Sequence, residues 1–392
     1  MFKTKLKNIV YFFYGFWNLF RFLVFDLKKI RDAEVVCFFP YYHTGGAERV
    51  HLNIVKALAD KNVCVIFTLN SATKNFQEQF QANAQCIEIN PILNKKNKLI
   101  NSLLKRSIVK AINTSKKCKS VFSSNSVYFY QLLPLITDRI CRIDLYHAFS
   151  KEDSRESEVV DSLMYINKRV VISENTKKDL LRIYNKYQVI HFFDRIYTIQ
   201  NGVKISNQFE LFKDFSNIKI GFVGRWAEEK RPALFLEIAK KINLIYPSIE
   251  FLMIGTGMKS NHDVINEAGV VFLGEITNND ELSNFYKELT FLLITSEYEG
   301  FPMVIMESML QGVVPISTDV GGISEHITNY ENGVLITDAE SEKIISAFTN
   351  AIELLVMDKV KIQGLSQNAF NYAKNNFGIN QFNENYKKLF DV

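Results

Sequence analysis

Phe291-Leu292-Leu293-Ile294-Thr295-Ser296-Glu297-Tyr298-Glu299-Gly300-Phe301-Pro302-Met303-Val304-Ile305-Met306-Glu307 holds the unit from which the chain is built. Four apolar residues in a row, with no polar alternation, predict a strand buried on both faces. A loop rich in acidic residues follows. Pro302 suits the first turn of a helix that runs on through Glu307. Gly312-Val313-Val314-Pro315-Ile316-Ser317-Thr318-Asp319-Val320-Gly321-Gly322 then predicts a second buried strand ending in a glycine-rich turn. Strand, loop, helix and strand in that order predict a parallel α/β sheet.

The same rhythm extends in both directions. Upstream, apolar runs predict strands at Val35–Pro40, Val63–Leu69, Cys86–Ile89, Val121–Ser124, Arg142–Ala148, Val170–Ser173 and Ile196–Gln200. Helices are expected at Ala47–Asp60, within Lys95–Lys117 and at Thr176–Tyr187. Residues 203–217 have no clear period, and the linker is placed there, with Asn207–Phe215 mixing polar and aromatic residues. The pattern then restarts, with strands at Ile218–Val223, Phe251–Ile254, Val270–Leu273, Phe291–Ile294, Val313–Ser317 and Val334–Ile336. Pro232–Ile245 reads as a helix, and the tail from Ile344 is mostly helical. The expected fold is α/β: two Rossmann-like domains facing across a cleft, 33–205 and 206–375. They are preceded by an N-terminal helix (1–32) and followed by a closing helix (376–392) able to return to the first domain. Ligands of such sheets bind beyond the carboxyl ends of the strands, so residues just after strands are the ones to inspect.

Composition agrees. The 392 residues are 47% hydrophobic and 23% charged, which excludes a disordered or fibrous chain and fits two domains. The net charge is +5, but residues 1–31 carry seven Lys or Arg against one Asp, and the remainder sums to −1. A basic nucleic-acid groove in the body is therefore not indicated. The five cysteines stand apart without a Cys-x-x-Cys pair and read as reduced core residues, with neither a disulfide framework nor a zinc site.

The N-terminal charge coincides with aromatics: nine of the fifteen residues from Tyr11 to Phe25. The uncharged stretch Asn8–Phe20 is shorter than the ~20 residues of a spanning helix. On a helix, Lys7, Tyr11, Tyr14, Asn18, Arg21 and Lys28 share a stripe, and the other faces are apolar. This predicts an amphipathic helix lying in a membrane interface. Packing on the protein's own surface is the alternative, and a true span the more distant one.

Three clusters follow predicted strands. Thr44-Gly45-Gly46-Ala47-Glu48-Arg49 offers flexible backbone and a helix N-terminus to an anion, although a plain tight turn reads the same way. In Gly221-Phe222-Val223-Gly224-Arg225-Trp226 with Lys230, two cations stand where they can clamp a diphosphate. Pairing with Glu228 and Glu229 is the ordinary alternative. The third is the opening stretch, in which Glu299 can accept from sugar hydroxyls and the amides near Gly300–Met303 can meet a phosphate.

As a set, Gly224-Arg225 with Lys230, EGFPMVIMES (299–308) and GVVPISTDVGGISE (312–325) resemble the retaining GT-B glycosyltransferases of family 4. TGGAER, VVISENTKKDL and QNGV in the first half are looser matches to the same family. The resemblance covers residues 33–390. It implies that Arg225 and Lys230 hold the donor diphosphate and stabilise its departure. Glu299 would bind donor-sugar hydroxyls, and Glu307 the ribose. The Gly300, Phe301, Pro302, Met303 and Val304 segment would meet sugar and phosphate, and Gly45 and Gly46 would border the phosphates and acceptor. His147, in LYHAF, is the best match to a histidine that reaches the donor sugar, with His43 its rival. His51, His191, His262 and His326 read as surface or packing residues. The family needs no metal or other cofactor; the donor, UDP- or GDP-linked, is a substrate.

A nucleotide-sugar epimerase of the same architecture is one competitor, and an inactive membrane-bound scaffold another. A nicotinamide dehydrogenase is disfavoured, because no Gly-x-Gly-x-x-Gly follows an early strand. The expected setting is the inner face of an anionic bacterial membrane, where a glycan or lipid-linked acceptor is extended for lipopolysaccharide or another surface polysaccharide.

Overall fold

The computed structural model describes residues 14–93, 97–150, 153–205, 211 and 213–391. The expected stripe positions Lys7 and Tyr11, and most of the linker Asn207–Phe215, lie outside them.

Seven strands form the first sheet: β1 Val35–Phe39, β2 Val63–Phe67, β3 Gln85–Glu88, β4 Ser120–Ser124, β5 Cys141–Tyr146, β6 Lys168–Val171 and β7 Ile196–Thr198. Their order is β3-β2-β1-β4-β5-β6-β7, all parallel. The second sheet holds β8 Lys219–Val223, β9 Glu250–Ile254, β10 Val270–Phe272, β11 Phe291–Ile294, β12 Val314–Thr318 and β13 Val334–Ile336. Its order is β10-β9-β8-β11-β12-β13, again parallel. β1, β2, β4, β11 and β12 are buried along their whole length. Helices cover both faces of each sheet, and this explains why the strands read as unbroken apolar runs.

Strand ends and helix starts are set by local chemistry. Ser173 caps the helix Glu174–Lys186 by accepting from the Thr176 amide (3.1 Å). Pro232 opens the helix Pro232–Ile245, after Arg231 turns the chain through a left-handed conformation (φ 45°). Pro302 is the residue before its helix, Met303–Met309, rather than inside the first turn. Its fixed φ serves the entry of the chain equally well.

The closing helix, Ile379–Phe390, packs against the first domain. Phe390 meets Phe122 of β4 with ring centroids 5.6 Å apart, and Lys168 donates to the Leu389 carbonyl (2.6 Å). The Val203 amide donates to the Phe377 carbonyl (2.8 Å) where the chain crosses between domains.

The N-terminal segment is divided in its loyalties. Residues 14–21 are helical, Phe22–Asp26 is a π-helical turn, and Leu27–Asp32 is α-helical. Leu19, Phe22, Leu27 and Ile30 are buried and join the core of the first domain with Val36, Phe38 and Ile100. The π turn's i→i+5 spacing keeps Phe22 and Leu27 on one face. Tyr14, Phe16, Trp17, Phe20, Leu23, Val24 and Phe25 stay exposed, Trp17 at 64% and Phe25 at 67%. One apolar face is thus already used by the protein itself, and a second is uncovered.

The cysteines are free thiols. Burial pushes Cys118 up to about 11 and Cys86 to about 12, so neither is a nucleophile near neutral pH. One interior ion pair escaped the sequence analysis. Arg169 on β6 meets Asp144 on β5 at 2.7 Å, both fully buried, with Tyr184 and Ser162 taking further guanidinium protons. A buried pair this fully hydrogen-bonded holds the two strands in register under the cleft.

Candidate active site

Both sheets point their carboxyl ends at one cleft of about 840 Å³ between the domains. From the first domain come Tyr41 and His43–Val50 after β1, Asn125 after β4, His147 and Ala148 after β5, and Ile172 after β6. From the second come Gly224 and Arg225 after β8, Gly255 and Thr256 after β9, and Thr295, Ser296 and Tyr298–Val304 after β11. Arg225, Lys230, Glu299, Glu307, Gly300–Val304, Gly45, Gly46, His147 and His43 all line it.

Lys230 and Glu299 are directly paired, Nζ to Oε1 at 2.5 Å. Ser296 donates to the same carboxylate oxygen (2.7 Å). Arg225 is more exposed and meets Glu229 at 2.9 Å, so the ordinary partner weighed for it is also real. Arg231, which the sequence analysis passed over, ties this corner together. Its guanidinium donates to the carbonyls of Thr295 (2.6 Å) and Ser296 (2.7 Å), and Thr295 Oγ1 donates back to the Lys230 carbonyl (2.8 Å). The loop carrying Lys230 is thereby fastened to the loop carrying Glu299.

Glu307 is held from both domains. Arg49 Nη1 donates to Oε1 (3.0 Å), and the Tyr286 hydroxyl donates to Oε2 (3.3 Å). Burial pushes the Glu307 carboxyl up, while Arg49 pulls it back toward the charged form.

Glycines decide how closely the loops approach. A Cβ at Gly300 would overlap the His147 carbonyl oxygen, and one at Gly321 would overlap that of Glu299. Gly321 also holds φ +60°, and the next amide, Gly322, donates to the Gly300 carbonyl (2.6 Å). Phe301 turns inward against His326 and Phe377.

In the first domain Gly45 caps the helix Gly46–Ala57, and the Glu48 carboxylate folds back over it. Burial pushes the Glu48 carboxyl up; its own amide, His43 and Arg225 oppose that. His43 Nε2 lies 3.8 Å from Glu48. His147 contacts Ser124 and His51, and burial, reinforced by Arg155, lowers it to about 4. His326 packs on Phe301 and bonds Tyr372 (3.1 Å), His191 lies against the Phe192 ring, and His262 is exposed. Among the described residues no group of three His, Cys, Asp or Glu could hold a metal ion.

The arrangement can hold a charged, hydroxyl-rich molecule. Cations and carboxylates alternate along the second-domain wall, and the helix N-terminus of Gly46–Ala57 faces them. Residues 204–372 match the family model described as glycosyl transferases group 1. That stretch resembles a glycosyl transferases group 1 domain.

The matched stretch covers nearly all of the wall just described. Over 356 residues the chain is 24% identical to an Escherichia coli enzyme, UDP-Gal:alpha-D-GlcNAc-diphosphoundecaprenol alpha-1,3-galactosyltransferase, spanning 80% of this chain and 89% of that one. A shorter match, 29% identical over 114 residues, is to the lipopolysaccharide core biosynthesis mannosyltransferase LpsB of Rhizobium meliloti, spanning 29% and 30% of the two chains. Among solved structures, Anabaena HepE in complex with UDP-glucose superposes with a TM-score of 0.72 at 18% identity, over 91% of this chain and 98% of that one. The pneumococcal O-GlcNAc transferase GtfA, in complex with UDP and GlcNAc, gives 0.70 at 14% identity, over 92% and 99%. The two facing parallel-sheet domains are the GT-B fold, and the relatives with named activities are glycosyltransferases.

Proposed function

We propose that the protein is a retaining, metal-independent glycosyltransferase. It moves a hexose from a nucleotide sugar, a UDP sugar first among them, to a glycan or lipid-linked acceptor in surface polysaccharide synthesis. The observation that carries the reading is the Lys230–Glu299 pair, with Arg225 beside it, on the group 1 wall of a cleft closed by the first domain. The UDP complexes of HepE and GtfA, and the UDP-galactose-dependent relative, favour uracil as the base.

The chemistry follows from charge. Breaking the bond from the anomeric carbon to the diphosphate leaves negative charge on the diphosphate oxygen. Arg225 and Lys230 stabilise that charge where it develops, and their positions are fixed beforehand by Glu229, Glu299 and the Arg231 clasp. Glu299 and Ser296 accept and donate to hydroxyls of the sugar, whose ring becomes oxocarbenium-like. Glu307 accepts from the ribose hydroxyls. The acceptor oxygen attacks the same face from which the diphosphate departs, and its proton passes to the departing phosphate. Retention is therefore expected without an enzyme nucleophile.

The working place is the inner face of an anionic membrane. The uncovered face Tyr14–Phe25 is aromatic, and Arg21, Lys28 and Arg31 beside it are exposed. Aromatic rings and basic side chains together suit a headgroup layer. Among the described residues no helix is long and apolar enough to cross a membrane.

The test is a panel of UDP and GDP sugars with a lipid-linked acceptor in the presence of EDTA. One sugar nucleotide should support transfer, and NMR of the product should show the donor's own anomeric configuration. An inverted product, or activity that a divalent cation alone restores, overturns the reading.

A further inference from the structure

His51 sits in the helix Gly46–Ala57, fully buried, its ring stacked on Phe39 with centroids 4.3 Å apart and planes 2° from parallel. Nothing in the sequence marks it, since it falls where a helix turns toward the sheet and any flat side chain would pack. Its Nε2 lies 3.5 Å from Nε2 of His147, which also lies 3.2 Å from Ser124 Oγ. Its Nδ1 is buried and has no partner.

Those contacts select one arrangement of protons. Burial lowers both imidazoles, His147 to about 4, so each is neutral near pH 7 and carries one N–H. If both carried it on Nε2, two hydrogens would collide. If both carried it on Nδ1, two lone pairs would face each other, and His51 would bury an N–H with no acceptor. If His51 alone carried it on Nδ1, that N–H would again be orphaned. An unsatisfied buried N–H costs ~1–3 kcal/mol and is rare in folded proteins. What remains is His51 donating from Nε2 to the Nε2 lone pair of His147. His147 then bears its hydrogen on Nδ1, the ring nitrogen that neither Ser124 nor His51 engages, on a side chain that lines the cleft.

We infer that His51 is a positioning residue: it fixes His147 as the Nδ1–H tautomer, so that the cleft meets a hydrogen-bond donor there and not an acceptor. The inference rests on the transferase reading of this cleft. A donor at that place suits a sugar hydroxyl oxygen and does not compete for the hydroxyl proton that Glu299 accepts.

The test separates the tautomer from the reaction. Imidazole ¹⁵N spectra of the full chain, labelled on histidine and assigned with a His147→Gln variant, read which nitrogen carries the hydrogen. In the wild type His147 should show a protonated Nδ1 and a bare Nε2. His51→Phe keeps the stack on Phe39 and removes the donor; there His147 should move toward the Nε2–H form, which Ser124 can accept. With a UDP sugar as donor, kcat in His51→Phe should fall about tenfold, the worth of one lost hydrogen bond, while donor KM changes less than threefold. His51→Gln, which restores an N–H donor, should recover most of kcat. A wild-type His147 protonated on Nε2, or an unchanged tautomer in His51→Phe, overturns the inference, and the wild-type spectrum decides even if His51→Phe does not fold. A wild type that transfers no sugar while showing the Nδ1–H form overturns the transferase reading and leaves the tautomer standing.

Discussion

Arg49 and Glu307 stand 258 positions apart in sequence and meet across the cleft at 3.0 Å. One belongs to the helix that opens the first domain, the other to the helix after β11. The pair makes the ionisation of a second-domain carboxylate depend on a first-domain guanidinium.

That dependence gives a pH signature. On the proposed reading, the ribose hydroxyls need Glu307 as a carboxylate, because only that form accepts at both oxygens. Burial raises its pKa and Arg49 lowers it, so Arg49→Ala removes the lowering and Glu307 takes up its proton at higher pH. Titration calorimetry with UDP should show affinity falling as pH drops, and falling earlier in Arg49→Ala than in the wild type. Glu307→Ala should bind UDP about tenfold or more weakly near pH 8, with little further pH dependence from this site. Superimposable pH profiles for wild type and Arg49→Ala would refute the coupling.

The diphosphate clamp is tested by turnover. Lys230→Ala should lose ~10²–10³ in kcat, because it removes a preorganised charge from the departing group. Arg225→Ala should do likewise, though less, since Arg225 is the more exposed and its partner Glu229 is close to solvent. Glu299→Ala should lower kcat more than it weakens UDP binding, and it releases Lys230 from its pair. Turnover within threefold of wild type for both cation variants, at saturating donor, would dismiss the clamp.

Much of this architecture is legible in the sequence, for a physical reason. Each strand is buried on both faces, so it announces itself as an apolar run, and all thirteen fall within a few residues of the expected ranges. The residues after those strands line the cleft because parallel sheets leave their carboxyl ends open. What local pattern cannot carry is pairing across the cleft. Arg49 reads as one charge on an amphipathic helix, and nothing nearby marks Glu307 as its partner. His51 is hidden for a similar reason, since it sits on the face expected to be core. Arg231 was missed because its work is done with its guanidinium on backbone carbonyls, which leave no trace in side-chain patterns. For residues 14–32 the periodicity shows apolar faces but not that one of them is spent on the first domain.

Closure of the cleft depends on Gly300. Any Cβ there would overlap the His147 carbonyl oxygen and press on Ile172, both from the first domain. Gly300→Ala should therefore hold the domains slightly apart while leaving each sheet intact. We expect kcat/KM to fall ~10²-fold, as for a misplacement of about 1 Å, with a far smaller effect on the binding of free UDP. Wild-type kcat/KM in Gly300→Ala would show that the loop yields without consequence.

Membrane attachment is best tested on the surface and not by truncation. Leu19, Phe22, Leu27 and Ile30 are core residues of the first domain, so a chain starting at Asp32 would uncover Val36 and Phe38 and lose solubility for reasons unrelated to lipid. Trp17→Ser, Phe20→Ser and Phe25→Ser together change only the uncovered face. The full-length protein should float with anionic vesicles, and the triple variant should not. It should keep the wild-type melting temperature within a few degrees, because the three rings are solvent-exposed, and it should still use a water-soluble acceptor. Replacing Arg21, Lys28 and Arg31 with Gln should weaken flotation less at high salt than at low, since ~1 kcal/mol per basic residue is screened there while aromatic burial is not. Undiminished flotation of the triple aromatic variant would place the lipid contact elsewhere on the protein.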